Sequence, residues 1–209
     1  MAESGLTALT VDAFLERLAS GDPTPGGGSA SALAGALGAA LVSMVCNLTI
    51  GRERYAAHDA EVRQILAEAT ALRARLQQGI DSDAAVYDTV MAAYKLPRAS
   101  DAEKATRQEA IQQATHAAAL VPLGLAEASG QVIALAAQAV GKTNTNAASD
   151  LAVAALLGAA AMDGAAANVK INLSALKDEL VRREISGRLA LALDGKHEQA
   201  AQVVEATRT

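Results

Sequence analysis

Thr24-Pro25-Gly26-Gly27-Gly28-Ser29 stands directly before a run, Ala30 to Ile50, that holds no charged residue. Three consecutive glycines put no Cβ in the way, so the backbone there can turn freely and approach another group closely. Ser29 reads as the N-cap of the helix that follows. That helix is small and apolar on every side, and such a helix belongs in the middle of a packed structure. Its length raises the question of a membrane span. Against one stand the polar Ser31, Ser43, Asn47 and Thr49, the weak hydrophobicity of Ala and Gly, and the absence of Trp for an interfacial belt. Ala32, Ala36 and Ala40 suit close contact between helices. The expectation is a central buried helix and no membrane partner. Its first turn would offer unpaired N–H groups and a positive dipole end to a ligand rich in acceptors.

The rest of the chain agrees with a helical reading. Of 209 residues 51% are hydrophobic but only 2% aromatic, so the apolar mass is Ala, Leu and Val. Alanine is the best helix former. The expected fold is all-α, a bundle of long antiparallel helices forming one domain over residues 1–209. Ala and Gly contacts bury little area each, so a homodimer that adds burial is expected. A net charge of −5, with no basic tract, argues against nucleic acid. The single Cys46 excludes an internal disulfide and reads as a small buried hydrophobe. His58, His116 and His197 are too scattered to suggest a metal site. No basic stretch precedes an apolar one at the start, so the expected compartment is the cytoplasm.

Thr10 caps a predicted helix over Val11–Ala19. The next helices are expected over Ser29–Ile50 and Ala57–Tyr94, the latter bent near Gly79 and closed by Pro97. A fourth starts near Asp101 and ends before Pro122 unless the proline only kinks it, with a further apolar helix to Val140. Gly141–Asn146 is a loop. Helices over Ser149 to about Asn168 and Ser174–Leu193 follow, then a short one after Gly195. No strand pattern is present.

Three clusters carry polar groups that could do chemistry. Asp83 and Tyr87 share a helix face with Val90, Met91 and Tyr94, whereas Asp81 and Asp88 point away and read as surface. Asn144, Asn146 and Asp150 surround the start of an apolar helix, where Ser149 or Asp150 could simply be its cap. Asn168 and Asn172 lie four residues apart after an apolar run, and buried amides need partners there. Lys170 beside them could reach a carboxylate.

The string Thr24–Ser29, with Ser43-Met-Val-Cys-Asn-Leu-Thr-Ile-Gly51 and Tyr55, resembles the cyclodeaminase/cyclohydrolase family of folate enzymes. So do Asp83-Ala-Ala-Val-Tyr-Asp88, the Asn-rich loop into Ser149-Asp150, and Asn168-Val…Asn172-Leu. The resemblance covers nearly the whole chain. Lys142-Thr143 departs from the glycine that related chains often carry before the Asn-rich loop. The resemblance implies hydrolysis of 5,10-methenyltetrahydrofolate to 10-formyltetrahydrofolate, with no cofactor beyond the folate substrate. The related formiminotetrahydrofolate cyclodeaminase is the alternative, and a non-catalytic scaffold a second one. Asp83 and Asp150 are the expected catalytic acids. Gly26, Gly27, Gly28, Ser29, Tyr87, Asn144, Asn146, Asn168 and Asn172 are the expected folate contacts, with a Cβ at Gly27 blocking approach.

Asp150 and Asn168 would lie about 27 Å apart on one straight helix. Either that helix breaks near Gly158 or Gly164, or two subunits share the site, or the two residues hold opposite ends of a long ligand.

Overall fold

The computed structural model describes residues 5–208. Among them are seven α-helices and no strand: α1 Val11–Leu18, α2 Gly27–Asn47, α3 Asp59–Tyr94, α4 Asp101–Ala139, α5 Ala148–Ala175, α6 Glu179–Leu193 and α7 Lys196–Ala206. Thr10 caps α1, its hydroxyl accepting from the Ala13 N–H at 3.2 Å.

Helices α2 to α5 form an up-and-down four-helix bundle. Gly35 of α2 lies against Leu76 of α3, Gly79 of α3 against Leu125 of α4, and Gly158 of α5 against Ile133 of α4. Gly38 of α2 faces the Ala154 carbonyl of α5, and a Cβ there would stand 3.0 Å from that oxygen. Small residues thus let the backbones meet, and the fully buried Val42, Ile65, Leu76, Leu123, Ile133, Leu151 and Met162 fill the space between. Cys46 is buried in this core, and burial pushes its thiol up to about 11. Helices α6 and α7 cover α4 and α5 through Arg188 on Glu127 and His197 on Asp163.

Helix α3 is continuous through Gly79, whose bare Cα admits the Leu125 side chain. Two expectations are corrected. Helix α2 starts at Gly27, not Ser29, and ends at Asn47, short of Ile50. Helix α4 is one unbroken helix of 39 residues that runs through Pro122. The proline removes one intrahelical bond, to the carbonyl of Ala118 four residues back; the burial of Ala118, Pro122 and Leu123 keeps the helix whole. A capping box starts α4: Ser100 Oγ accepts from the Glu103 N–H, and the Glu103 carboxylate accepts from the Ser100 N–H.

By length and composition α2, α4 and the Thr145–Ala175 segment could each cross a membrane. In the bundle, 61% and 67% of the most apolar stretches of α2 and α4 are buried inside the protein, and 44% of the third.

The lengths of the helices make the site. At 21 residues α2 is about 31 Å long, while α3 and α4 exceed 50 Å, about 1.5 Å for each of their 36 and 39 residues. Helix α2 begins part-way along its neighbours, and a recess remains beyond its first turn.

Candidate active site

Asp83 of α3 closes the N-terminus of α2. The Ser29 hydroxyl lies 3.1 Å from Asp83 Oδ2 and 2.9 Å from the carbonyl oxygen of Ile80. The Ser29 backbone N–H also donates to the carboxylate. Helix α2 has no capping side chain of its own, since its N-cap is Gly26. Asp83 serves instead, from another helix, as the acceptor that orphan N–H groups need. This is why α2 starts two residues early: the cap comes from residue 83. Burial pushes the Asp83 carboxyl above the usual carboxylate range, and the bonds from Ser29 oppose that rise.

The recess over this carboxylate has a volume of about 370 Å³. Gly26, Gly27 and Gly28 form one wall, Asp83, Tyr87 and Val90 another, and Asn168 and Asn172 a third. Three segments far apart in the chain meet there. Ser29 is fully buried behind Asp83, so it touches the acid and does not line the recess. The tight glycine is Gly28 rather than Gly27. A Cβ on Gly28 would collide with the Asp83 carboxylate, whereas one on Gly27 would meet Asn168 Nδ2 at an ordinary 3.7 Å.

The two asparagines direct their amide hydrogens at backbone. Asn168 Nδ2 donates to the Gly164 carbonyl at 2.9 Å. Asn172 Nδ2 donates to Ala118 at 2.8 Å and to the Asn168 carbonyl at 3.1 Å. With both its amide hydrogens used, Asn172 has an acceptor oxygen left for a ligand. Lys170 beside them is exposed and outside the recess.

Asn144, Asn146 and Asp150 lie elsewhere. The backbone N–H of the buried Asn144 donates to the Thr49 hydroxyl oxygen at 2.8 Å, and its side-chain oxygen accepts from the Asn146 N–H at 3.1 Å. It ties the loop to the C-terminal end of α2. The Thr145 hydroxyl lies 3.4 Å from the Tyr55 hydroxyl and the Thr145 N–H donates to it at 3.1 Å; the side-chain contact first, then the backbone one, draw the phenol below its usual range. Asp150 sits half-exposed in the first turn of α5. The N-cap there is Ala147, so neither Ser149 nor Asp150 caps the helix. Helix α5 is continuous through Gly158 and Gly164, which rules out a break between Asp150 and Asn168. Within one chain the Asp83 recess and the Asp150 cluster stand at opposite ends of α2, about 31 Å apart.

An apolar face joins the two ends. Leu37 and Met44 of α2, Leu48 just past its end, and Val153, Leu156 and Ile171 of α5 are each at least 38% exposed. Ile171 also lines the recess.

Pro23, Thr24, Val86, Ala118 and Ile171 complete the recess and were not among the expected contacts. Val86 falls at helical spacing from Asp83 and Val90, a signal that could have found it. Asp81, expected at the surface, accepts from the Thr7 hydroxyl at 2.7 Å and holds the N-terminal segment on α3. Asp88 is exposed.

Comparison with known proteins is specific. A family model described as formiminotransferase-cyclodeaminase matches residues 10–190. A methenyltetrahydrofolate cyclohydrolase of Methylorubrum extorquens is 44% identical over 187 residues, covering 88% of this chain and 90% of that protein. A formimidoyltransferase-cyclodeaminase of Rattus norvegicus is 33% identical over 97% of this chain, which spans 37% of that longer protein. A crystal structure of formiminotetrahydrofolate cyclodeaminase from Thermotoga maritima superposes with a TM-score of 0.80 at 28% identity, covering 96% of this chain and 94% of that one.

Proposed function

The chain belongs to the formiminotransferase-cyclodeaminase family, and from that premise we propose that it is a methenyltetrahydrofolate cyclohydrolase. Its reaction is hydrolysis of 5,10-methenyltetrahydrofolate to 10-formyltetrahydrofolate. The observation that carries the reading is the Asp83 carboxylate, fixed by α2 and facing a recess with acceptor-bearing walls. The identity to a cyclohydrolase over nearly full length supports it.

The substrate has a cationic carbon between N5 and N10. Asp83 stabilises that charge and takes a proton from the attacking water as the new C–O bond forms. The tetrahedral adduct then breaks its C–N5 bond. Asp83 returns its proton to N5, and the adduct hydroxyl loses its proton to solvent as the formyl C=O forms on N10. Water and the folate balance the reaction without a further cofactor. Asn172, with an acceptor left over, orients a donor edge of the pterin, while Asn168, Tyr87 and the Gly26–Gly28 backbone enclose it.

The active enzyme in this reading is a cytoplasmic homodimer with its sites at the subunit interface. The exposed face of α2 and α5 measures about 31 Å by two helix widths of about 10 Å, roughly 600 Å² per subunit, near the roughly 800 Å² of a standard interface. Helix α2 brings no charge to it between Ala30 and Asn47. A two-fold axis through the middle of this face lays Asp150 and Asn146 of the partner subunit over the Asp83 recess. Leu37→Glu should therefore yield monomers in sedimentation and lose activity. Monomeric wild type would exclude the shared site.

A second reading, formiminotetrahydrofolate cyclodeaminase, is favoured by the Thermotoga structure and the rat relative. There N10 attacks a formimino carbon and ammonia leaves. Absorbance assays on methenyl- and formiminotetrahydrofolate, run side by side, decide between the two. Inactivity on both, with no thermal shift from a folate analogue, would return the chain to the scaffold reading.

A further inference from the structure

We propose that Ser29 is a positioning residue that holds Asp83 in both of its protonation states. The inference rests on Asp83 acting as the acid–base group, as proposed above. Ser29 Oγ lies within hydrogen-bond reach of two acceptors, Asp83 Oδ2 at 3.1 Å and the Ile80 carbonyl at 2.9 Å, yet its hydroxyl has one proton. With Asp83 ionised, that proton points to the carboxylate. With Asp83 protonated on Oδ1, the oxygen over Gly28 and the recess, Oδ2 is a carbonyl oxygen that still accepts from Ser29, and Ile80 is the serine's other acceptor. No atom other than hydrogen has to shift, so the acid takes and returns its proton at Oδ1 while Ser29 holds Oδ2. Ile80 and Asp83 are three residues apart on α3, so one rigid turn fixes the whole arrangement. Ser29 is fully buried, which leaves water no part in it.

The pair should be visible in titration. Ser29 bonds lower the Asp83 carboxyl against the rise caused by burial. Within one subunit Tyr87 on α3 is the other titratable side chain lining the recess, and α2, α4, α5 and the Thr24 loop contribute no charge to it; in the proposed dimer the partner's Asp150 is the one added charge, the same in wild type and variant. Ser29→Ala removes one charged-state hydrogen bond, so the Asp83 titration should move to higher pH by about one unit.

The experiment is a carbon-13 carboxyl NMR titration of wild type and Ser29→Ala, with the Asp83 signal assigned by its loss in Asp83→Asn. The pH–rate profile is measured on the same proteins. The expected result is an upward shift of the NMR titration, the same shift in the acidic limb of kcat, a severalfold fall in kcat with KM within twofold, and recovery in Ser29→Thr. An NMR titration unchanged by Ser29→Ala overturns the proposal. A shifted NMR titration in a protein that turns over neither folate keeps the Ser29–Asp83 pair and removes the enzymatic reading. Should the alanine variant not fold, Ser29→Cys, a weaker donor of similar size, is read in the same way.

Discussion

Asn172 of α5 donates to the carbonyl that Pro122 leaves without an intrahelical partner in α4. Pro122 has no N–H to give Ala118, four residues back, and Asn172 Nδ2 meets that oxygen at 2.8 Å. A defect in one helix is thus repaired from another, at the wall of the recess that Ala118 helps to line.

A double-mutant cycle should register this pairing. Asn172→Ala alone strands a half-buried carbonyl and should cost about 1–3 kcal/mol. In a Pro122→Ala background the helix supplies its own N–H, and the same change should cost less, with a coupling of about 1 kcal/mol. Denaturant melts of the four proteins give the numbers. Strict additivity would mean that the contact is incidental.

Gly28 and Gly27 should respond differently to alanine. The Gly28→Ala methyl enters the space of the Asp83 carboxylate and must turn it away from Ser29, so turnover should fall by at least about tenfold, the low edge for losing an acid–base group. Gly27→Ala meets Asn168 at van der Waals distance and should keep most of its activity. Equal losses at both positions would show that the backbone, and not the carboxylate, makes the demand.

Asp83→Asn should lower kcat by at least about tenfold and yet melt higher near neutral pH. Burial raises the folded-state value of this acid above the unfolded one. Its contribution to stability is then fully present below the unfolded value and is lost as pH rises through the folded value. The amide carries no charge to bury, so its advantage appears at neutral pH and closes in acid, below about pH 4. Calorimetry across that range tests it. A wild type that melts higher near neutrality would mean that the α2 cap outweighs the burial of charge.

Complementation tests the shared site. Asp83→Asn and Asp150→Asn subunits should each be nearly inactive alone. After exchange, half of the dimers are mixed and each mixed dimer has one intact site, so about a quarter of wild-type activity should return. Proven exchange without recovery would leave Asp150 outside the chemistry.

Helix content and bundle topology were legible because Ala-rich segments bounded by Gly141, Pro97 and Thr10 admit little else. The glycine triplet, Asp83 with Tyr87, and the two asparagines were legible as separate motifs, and the fold brings them to one recess. What a linear reading missed depends on groups distant in sequence. The cap of α2 is residue 83, so Ser29 was misplaced as the cap itself. Pro122 read as a helix end or a kink because its remedy, residue 172, lies 50 positions on. The bond from Thr7 to Asp81 joins positions 74 apart, so it too was invisible along the chain. The helix break allowed at Gly158 or Gly164 is absent because those positions admit Ile133 and Ser31 from neighbouring helices.

The uncharged α2 also sets a hazard during synthesis. It leaves the ribosome before its wall exists, since the Ala154 backbone that packs on Gly38 follows 116 residues later. At about 5–20 residues per second, this helix waits on the order of ten seconds for its wall. Nascent chains arrested before α5 should therefore be the aggregation-prone species, and chaperone contacts should concentrate on them rather than on the finished protein.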